Sequence, residues 1–315
     1  VSYVGPDFDP QPPRRPRRRP LTVALVALVP GALLGWGAYA AFGGSDDGGG
    51  SSDKAAVGTP TASARTTDSE RPSETPTEEP TSSPSTEPAA TGPLAGKVVV
   101  IDPGHNPGNF QHASEINRKV DIGTGMKECD TTGTATNSGY READFTLDVA
   151  HRMRTLLEKQ GATVELTHDG DRSYGPCIDE RARIGNKAEA DAVVSLHADG
   201  AGSGNRGFHV ILPGAVNSGA ADTRPIVAPS KNLGERIAGA FVRVTGSAPS
   251  NYVGGGTGLV TRKDLGGLNL STVPKVFIEC GNMRDSKDAA QLTSETWRQK
   301  AAQGIAEGIA GFLEK

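Results

Sequence analysis

Three apolar runs in this chain each end abruptly in a polar motif, and that pattern restricts the fold more than any other feature. Val98-Val99-Val100-Ile101 runs into Asp-Pro-Gly-His at 102–105. Ala192-Val193-Val194 runs into Ser-Leu-His-Ala-Asp at 195–199, and Val276-Phe277-Ile278 into Glu-Cys-Gly-Asn at 279–282. Short continuous apolar runs of this kind read as buried strands. A strand that ends in His or Glu presents a polar head at the carboxyl edge of its sheet. In open α/β sheets that edge is where ligands bind.

The sequence between these runs supplies the helices. Phe145, Val149, Met153 and Leu156 or Leu157 recur at helical spacing, which predicts a helix over Glu142–Gln160. Ile178–Glu189 reads as a helix with Asp179, Glu180, Arg181 and Arg183 on a charged outer face. Lys231–Val244 and Glu295–Leu313 complete the helical set, the last with Trp297, Ala301, Ile305 and Ile309 inward. Strands are expected at Lys97–Ile101, Thr163–Leu166, Ala192–Leu196, Gly207–Leu212, near Gly258–Thr261, and at Lys275–Ile278. The segment from Pro103 to Tyr140 shows no period and is expected to be irregular. Strands alternating with helices predict an α/β fold with a mostly parallel central sheet flanked by helices.

All of this lies in residues 94–315, which read as one catalytic domain. The first third of the chain is different. Residues 1–20 carry Arg14, Arg15, Arg17, Arg18 and Arg19, a basic tail expected to be cytoplasmic. Leu21 to Phe42 is a run of 22 residues without a formal charge. As a helix it would span about 33 Å, enough for a bilayer core. It reads as a transmembrane anchor or as a cleaved signal peptide, with Ala38-Tyr39-Ala40 resembling a cleavage site. Either way the remainder is expected outside the cytoplasm, membrane-held or secreted. Residues 43–93 are rich in Ser, Thr, Pro and Gly and read as a disordered linker with an r.m.s. span of about 40 Å.

Cysteine use fits an exported protein. Cys129 and Cys177 are disulfide candidates, worth about 4 kcal/mol in the chain-entropy model if bridged; two unpaired thiols are the alternative. Cys280 reads as a free thiol, facing away from Glu279. The net charge of −4 is modest, and the one dense basic cluster borders the apolar run, so no nucleic-acid partner is expected. A monomer is expected.

Taken singly, the polar strand-end residues have ordinary explanations. A histidine in a turn is commonly a surface residue, and an acidic residue in a first helical turn complements the helix dipole. Glu279 is harder to excuse, because a carboxylate ending an apolar strand must be paired, hydrated or metal-linked. Together, His105, Glu142 and His197 suit zinc as nitrogen and oxygen ligands, with a fourth position for water. Glu279 then supplies the general acid/base that such a site needs. His112, His151, His168 and His209 lack the strand-end context.

The order Val-Val-Val-Ile-Asp-Pro-Gly-His, Arg-Glu-Ala-Asp-Phe, Val-Ser-Leu-His-Ala-Asp and Phe-Ile-Glu-Cys-Gly-Asn resembles the zinc-dependent N-acetylmuramoyl-L-alanine amidases of the Amidase_3 type. The resemblance covers residues 95–314. It implies that His105, Glu142 and His197 bind zinc and that Glu279 is the catalytic carboxylate. It also implies a peptidoglycan substrate, cut at the amide between N-acetylmuramic acid and L-alanine. The insert with Cys129 and the later Gly-Pro-Cys at 175–177 are similar to mycobacterial-type members, in which a matching disulfide occurs. Many relatives carry Glu-Thr-Gly-Phe where this chain has Glu-Cys-Gly-Asn. The competing readings are another exported zinc hydrolase, such as a stem-peptide peptidase, and a non-catalytic wall-binding module.

Overall fold

Residues 91–314 are described by the structure, a computed structural model. The basic tail, the apolar run 21–42 and nearly all of the 43–93 linker lie outside the described residues. Among the described residues no helix is long and apolar enough to cross a membrane.

Strand β1 (Val98–Pro103) opens the domain. A 3-10 turn at Asn109–Gln111, a short helix α1 (Ala113–Asn117) and a hairpin of β2 (Lys119–Asp121) and β3 (Met126–Glu128) follow. Next come helix α2 (Glu142–Glu158), β4 (Thr163–Leu166), helix α3 (Ile178–Lys187) and β5 (Ala192–Asp199). The chain continues through β6 (His209–Pro213), the short pair β7 (Asn217–Ser218) and β8 (Ala221–Asp222), and helix α4 (Val227–Thr245). It closes with β9 (Leu259–Arg262), the turn-length helix α5 (Gly266–Asn269), β10 (Lys275–Asn282), α6 (Ser286–Leu292) and α7 (Glu295–Leu313).

The main sheet has the order β4-β1-β5-β10-β6-β9. Every pairing is parallel except β10 with β6. The expected α/β architecture with a mostly parallel sheet is therefore what forms. The chain leaves β1 for β4 on one side and returns to β5 on the other. The strand order reverses there, and the crevice beyond the carboxyl ends of β1 and β5 is the place such sheets offer a ligand.

The two faces of the sheet differ in chemistry. Val99, Ile101, Val194, Leu196, Val210, Val276 and Ile278 belong to the main core, under helices α2, α4 and α7. Each such side chain, fully buried, contributes roughly 1.5–3 kcal/mol. Helices α4 and α7 can approach closely because α7 carries glycine at the crossing. A Cβ on Gly308 would stand 2.5 Å from the Cα of Ile237, and one on Gly304 would stand 3.1 Å from the Cα of Phe241. The opposite face is apolar near the starts of the strands, where Val100 and Val193 pack with Ala190 and Ile184, and polar toward their carboxyl ends. Asp102 pairs with Ser195, and Glu279 lies directly between His197 on β5 and His209 on β6. Residues paired in register point to the same side of a sheet, so the apolar alternation on one face leaves this row on the other. Helix α3 packs against β1, β2 and α5.

Several boundaries differ from the periodicity. The segment 103–140 is not wholly irregular: it holds α1 and the β2–β3 hairpin, each too short to show a period. Helix α4 starts at Val227 rather than Lys231, with Pro229 in its first turn, where a missing N–H goes unmissed. Strands β5 and β10 run on to Asp199 and Asn282, so His197 and Glu279 lie within strands. Ladder bonds use backbone groups and do not stop at a polar side chain. Arg181 is the clearest correction. It was expected on the outer face of α3 and is instead buried, with Ala182 and Gly185.

Candidate metal centre

The convergence of His105, Glu142 and His197 begins with backbone requirements. His105 leaves β1 in a left-handed conformation, φ 64°. For a residue with a side chain this costs about 1–3 kcal/mol and is typical of functional sites. Gly104 before it has no room for a side chain: a Cβ would stand 2.4 Å from Cε1 of His197. Gly133 closes the other side, at φ +72°, where a Cβ would meet His105 Cδ2 at 2.7 Å and Glu142 Oε2 at 2.9 Å. The two imidazoles therefore meet edge to face, with ring centroids 4.9 Å apart.

Glu142 is the first residue of α2 and reaches both histidines with one oxygen. Its Oε1 lies 3.2 Å from His105 Nε2 and 2.9 Å from His197 Nδ1. Backbone amides fix the carboxylate: Ala198 N–H donates to Oε1 at 3.1 Å and Thr134 N–H to Oε2 at 2.9 Å. The ligand atoms of the three residues all lie within 4.8 Å of one another. Donors about 2.1 Å from a tetrahedral zinc stand about 3.4 Å apart, so the cluster has both the spacing and the atom types for that ion.

The outer partners orient these groups. His105 Nδ1 lies 3.1 Å from the Thr131 carbonyl, which can only accept, so Nδ1 is the protonated nitrogen and Nε2 faces Glu142. Burial disfavours the charged imidazole, but Glu142 and Asp130 override it and raise the His105 pKa to about 10. A metal would compete with that proton for the Nε2 lone pair. Burial likewise opposes ionisation of Glu142, and the two histidines overcome it, holding the carboxyl below the usual range. His197 is backed by Phe277, whose ring stacks at 5.4 Å and 12°.

Beneath His105 lies a buried ionic cluster that the sequence did not disclose. Arg181 donates to Asp102 at 2.8 Å, to Asp130 at 2.9 Å and to the His105 carbonyl at 2.8 Å. Lys275, fully buried, donates to the other oxygen of Asp102 at 3.1 Å. Thr167 and Ser195 hydroxyls complete the Asp102 shell. Two carboxylates face two cations, so the cluster is neutral. A signal for Arg181 was present: positions 181, 182 and 185 form one stripe at helical spacing, with two small residues on it. Lys275 and Asp130 carried no comparable signal.

Glu279 stands beside the cluster on β10, paired in register with His197. Its Oε2 is buried with no hydrogen-bond partner among the described residues. Burial pushes its pKa well up, and the negative charges of Glu142 and Asp199 add to that. The structure thus brings His105, Glu142 and His197 together and sets Glu279 next to them. A cleft of about 240 Å³ opens at His105 and His197, floored by Phe277 and Ile178, with Lys127 and Glu128 among the residues that line it. Cys129 and Cys177 are bridged, tying the segment after the hairpin to the start of α3. Cys280 is a free, buried thiol in the main core, on the side away from Glu279. Asn282 donates from its amide to the carbonyls of Ala201 and Asn205 and so pins the loop after β5.

A mostly parallel α/β sheet with nitrogen and oxygen donors gathered at its carboxyl edge is a build suited to metal-assisted hydrolysis. The family model for N-acetylmuramoyl-L-alanine amidases (Amidase_3) matches residues 99–311. An N-acetylmuramoyl-L-alanine amidase of Mycobacterium tuberculosis is 41% identical over 221 residues, 70% of this chain and 88% of that one. The N-acetylmuramyl-L-alanine amidase Ami1 from Mycobacterium smegmatis matches with a TM-score of 0.64 at 39% identity, covering 71% of this chain and 99% of that one. Apo Ami1 from Mycobacterium abscessus gives 0.63 at 41% identity, covering 70% and 100%. The chain belongs to the N-acetylmuramoyl-L-alanine amidase family.

Proposed function

We propose that this peptidoglycan amidase cuts the bond between N-acetylmuramic acid and L-alanine at the His105–Glu142–His197 cluster, with zinc as the metal and Glu279 as general acid/base. The observation that supports this reading most is the spacing of the donor atoms, 2.9 and 3.2 Å around one Glu142 oxygen, beside a carboxyl with an unpartnered oxygen. A zinc ion held there would supply the Lewis acidity that polarises an amide carbonyl and acidifies water.

The protein's own groups do the rest. Backbone amides of Ala198 and Thr134 hold the Glu142 carboxylate in place, and Thr131 fixes the tautomer of His105. Glu279 removes a proton from the attacking water at Oε1 or Oε2. It then delivers that proton to the nitrogen of the departing alanine, so the leaving group departs as a neutral amine. The raised pKa of Glu279 suits a group that must hold a proton between these steps. The cleft beside Phe277 takes part of the substrate next to the scissile amide.

A cell-wall substrate requires an extracytoplasmic domain. The apolar run 21–42, the arginine cluster before it and the Cys129–Cys177 bridge support export, with a membrane tether on the 43–93 linker. The test is hydrolysis of a muramoyl dipeptide by the zinc-loaded full chain. The reading expects free N-terminal alanine and an intact sugar. Release of any other fragment, as a stem-peptide peptidase would give, contradicts it.

A further inference from the structure

Nothing in the sequence around His209 marks it as part of a site. The structure places it directly opposite Glu279, on the neighbouring antiparallel strand. Opposed residues of such a pair share a face, with Cβ atoms about 4.5–5.5 Å apart. Both side chains present a buried polar atom without a hydrogen-bond partner among the described residues: Nδ1 of His209 and Oε2 of Glu279. Buried unpartnered polar atoms are uncommon, and each calls for an explanation. These two stand on adjacent, in-register side chains beside the candidate centre, each lacking a partner and neither bonded to the other as the side chains stand.

We propose that His209 is a positioning residue for Glu279 in amide hydrolysis, holding the carboxyl through Nδ1. This rests on the reading of Glu279 as the acid/base. The imidazole is itself braced. The Tyr252 ring meets it edge to face at 5.8 Å, and the Tyr252 hydroxyl donates to Asp199 at 2.7 Å. Burial keeps His209 neutral, with Asp199 opposing and Arg262 reinforcing that effect. A neutral imidazole carries one N–H and one lone pair. With the proton on Nδ1 it donates to one oxygen of Glu279, and it can do so whether the other oxygen is ionised or has taken the proton from water, so no proton moves on His209. Held this way, the carboxyl keeps one orientation through both proton transfers.

The test uses the zinc-loaded full chain and a muramoyl dipeptide, with H209A, H209N, E279Q and the H209A/E279Q pair. Asn places an amide where Nδ1 stood and can both donate and accept. The expected result is a kcat for H209A lower by about tenfold or more, with KM and bound zinc unchanged, and recovery of most of that loss in H209N. In the E279Q background, H209A should change the residual rate no further. The proposal is overturned if H209A lowers the residual rate of E279Q by the same factor as in the parent, if zinc is lost along with kcat, or if H209A is fully active. Near-normal turnover by E279Q itself would instead overturn the role of Glu279, a separate failure.

Discussion

Arg181 is the residue whose removal tells most about how the site is held. Its guanidinium lies between Asp102 and Asp130, and it also binds the carbonyls of Pro103, Pro176 and His105. Replacing it with Met keeps much of the volume but leaves the buried cluster one negative charge in excess. Three carbonyls lose a donor as well. Removing one partner of a buried ion pair costs about 3–5 kcal/mol. For a domain of this size that lowers Tm by about 6–20 °C. The acid limb of stability should move too. Burial would raise the pKa of both carboxyls, but Lys275 and Arg181 on Asp102, and Arg181 and His105 on Asp130, hold them well below the ordinary value. A depressed carboxyl contributes stability that is present above its unfolded pKa of about 4 and is lost as pH falls below it. R181M weakens that depression, so these carboxyls contribute less pH-dependent stability, and the gap between variant and parent should shrink as pH falls below about 4. The assay is denaturant unfolding of the metal-free full chain from about pH 3 to about pH 7, which spans the unfolded carboxyl pKa. A loss of under about 1 kcal/mol at neutral pH, or an acid limb identical to the parent's, would refute the claim that this cluster supports the site.

Further outcomes follow from the same geometry. E279Q should retain the fold and lose about 10²-fold or more in turnover, measured as release from a muramoyl dipeptide of the dipeptide with a free N-terminal alanine. G104A should push a methyl into the His197 ring, cost about 1–3 kcal/mol, and weaken zinc binding in a competitive chelator titration. The C129S/C177S pair should lose about 4 kcal/mol by denaturant unfolding, since the bridge closes a separation of 48 residues. G308A should separate α4 from α7 and lower Tm while leaving kcat unchanged, because that crossing lies on the face of the sheet away from His197.

The sheet was legible because β1 and β5 are covered on both faces along their first residues, with Val99 and Val194 on one side and Val100 and Val193 on the other, and so show continuous apolar runs. The long helices were legible because each buries one stripe: Phe145, Val149 and Met153 on α2, and Trp297, Ala301, Ile305 and Ile309 on α7. The candidate ligands stood out as polar residues where apolar ones belong. What supports them did not, since a hydrogen-bond partner needs no period. Arg181 sat in a run of charged residues and read as solvent-facing. Gly104 and Gly133 matter for contacts between segments far apart in sequence. His209 gains meaning only from the antiparallel register of β6 with β10, which no local pattern specifies.

The most direct measurement is zinc bound per chain in the purified full-length protein and in H105A, H197A and E279Q. The account predicts close to one zinc in the parent and in E279Q, and little in either histidine variant. Full zinc occupancy in H105A and H197A would contradict it, because the metal would then be held elsewhere.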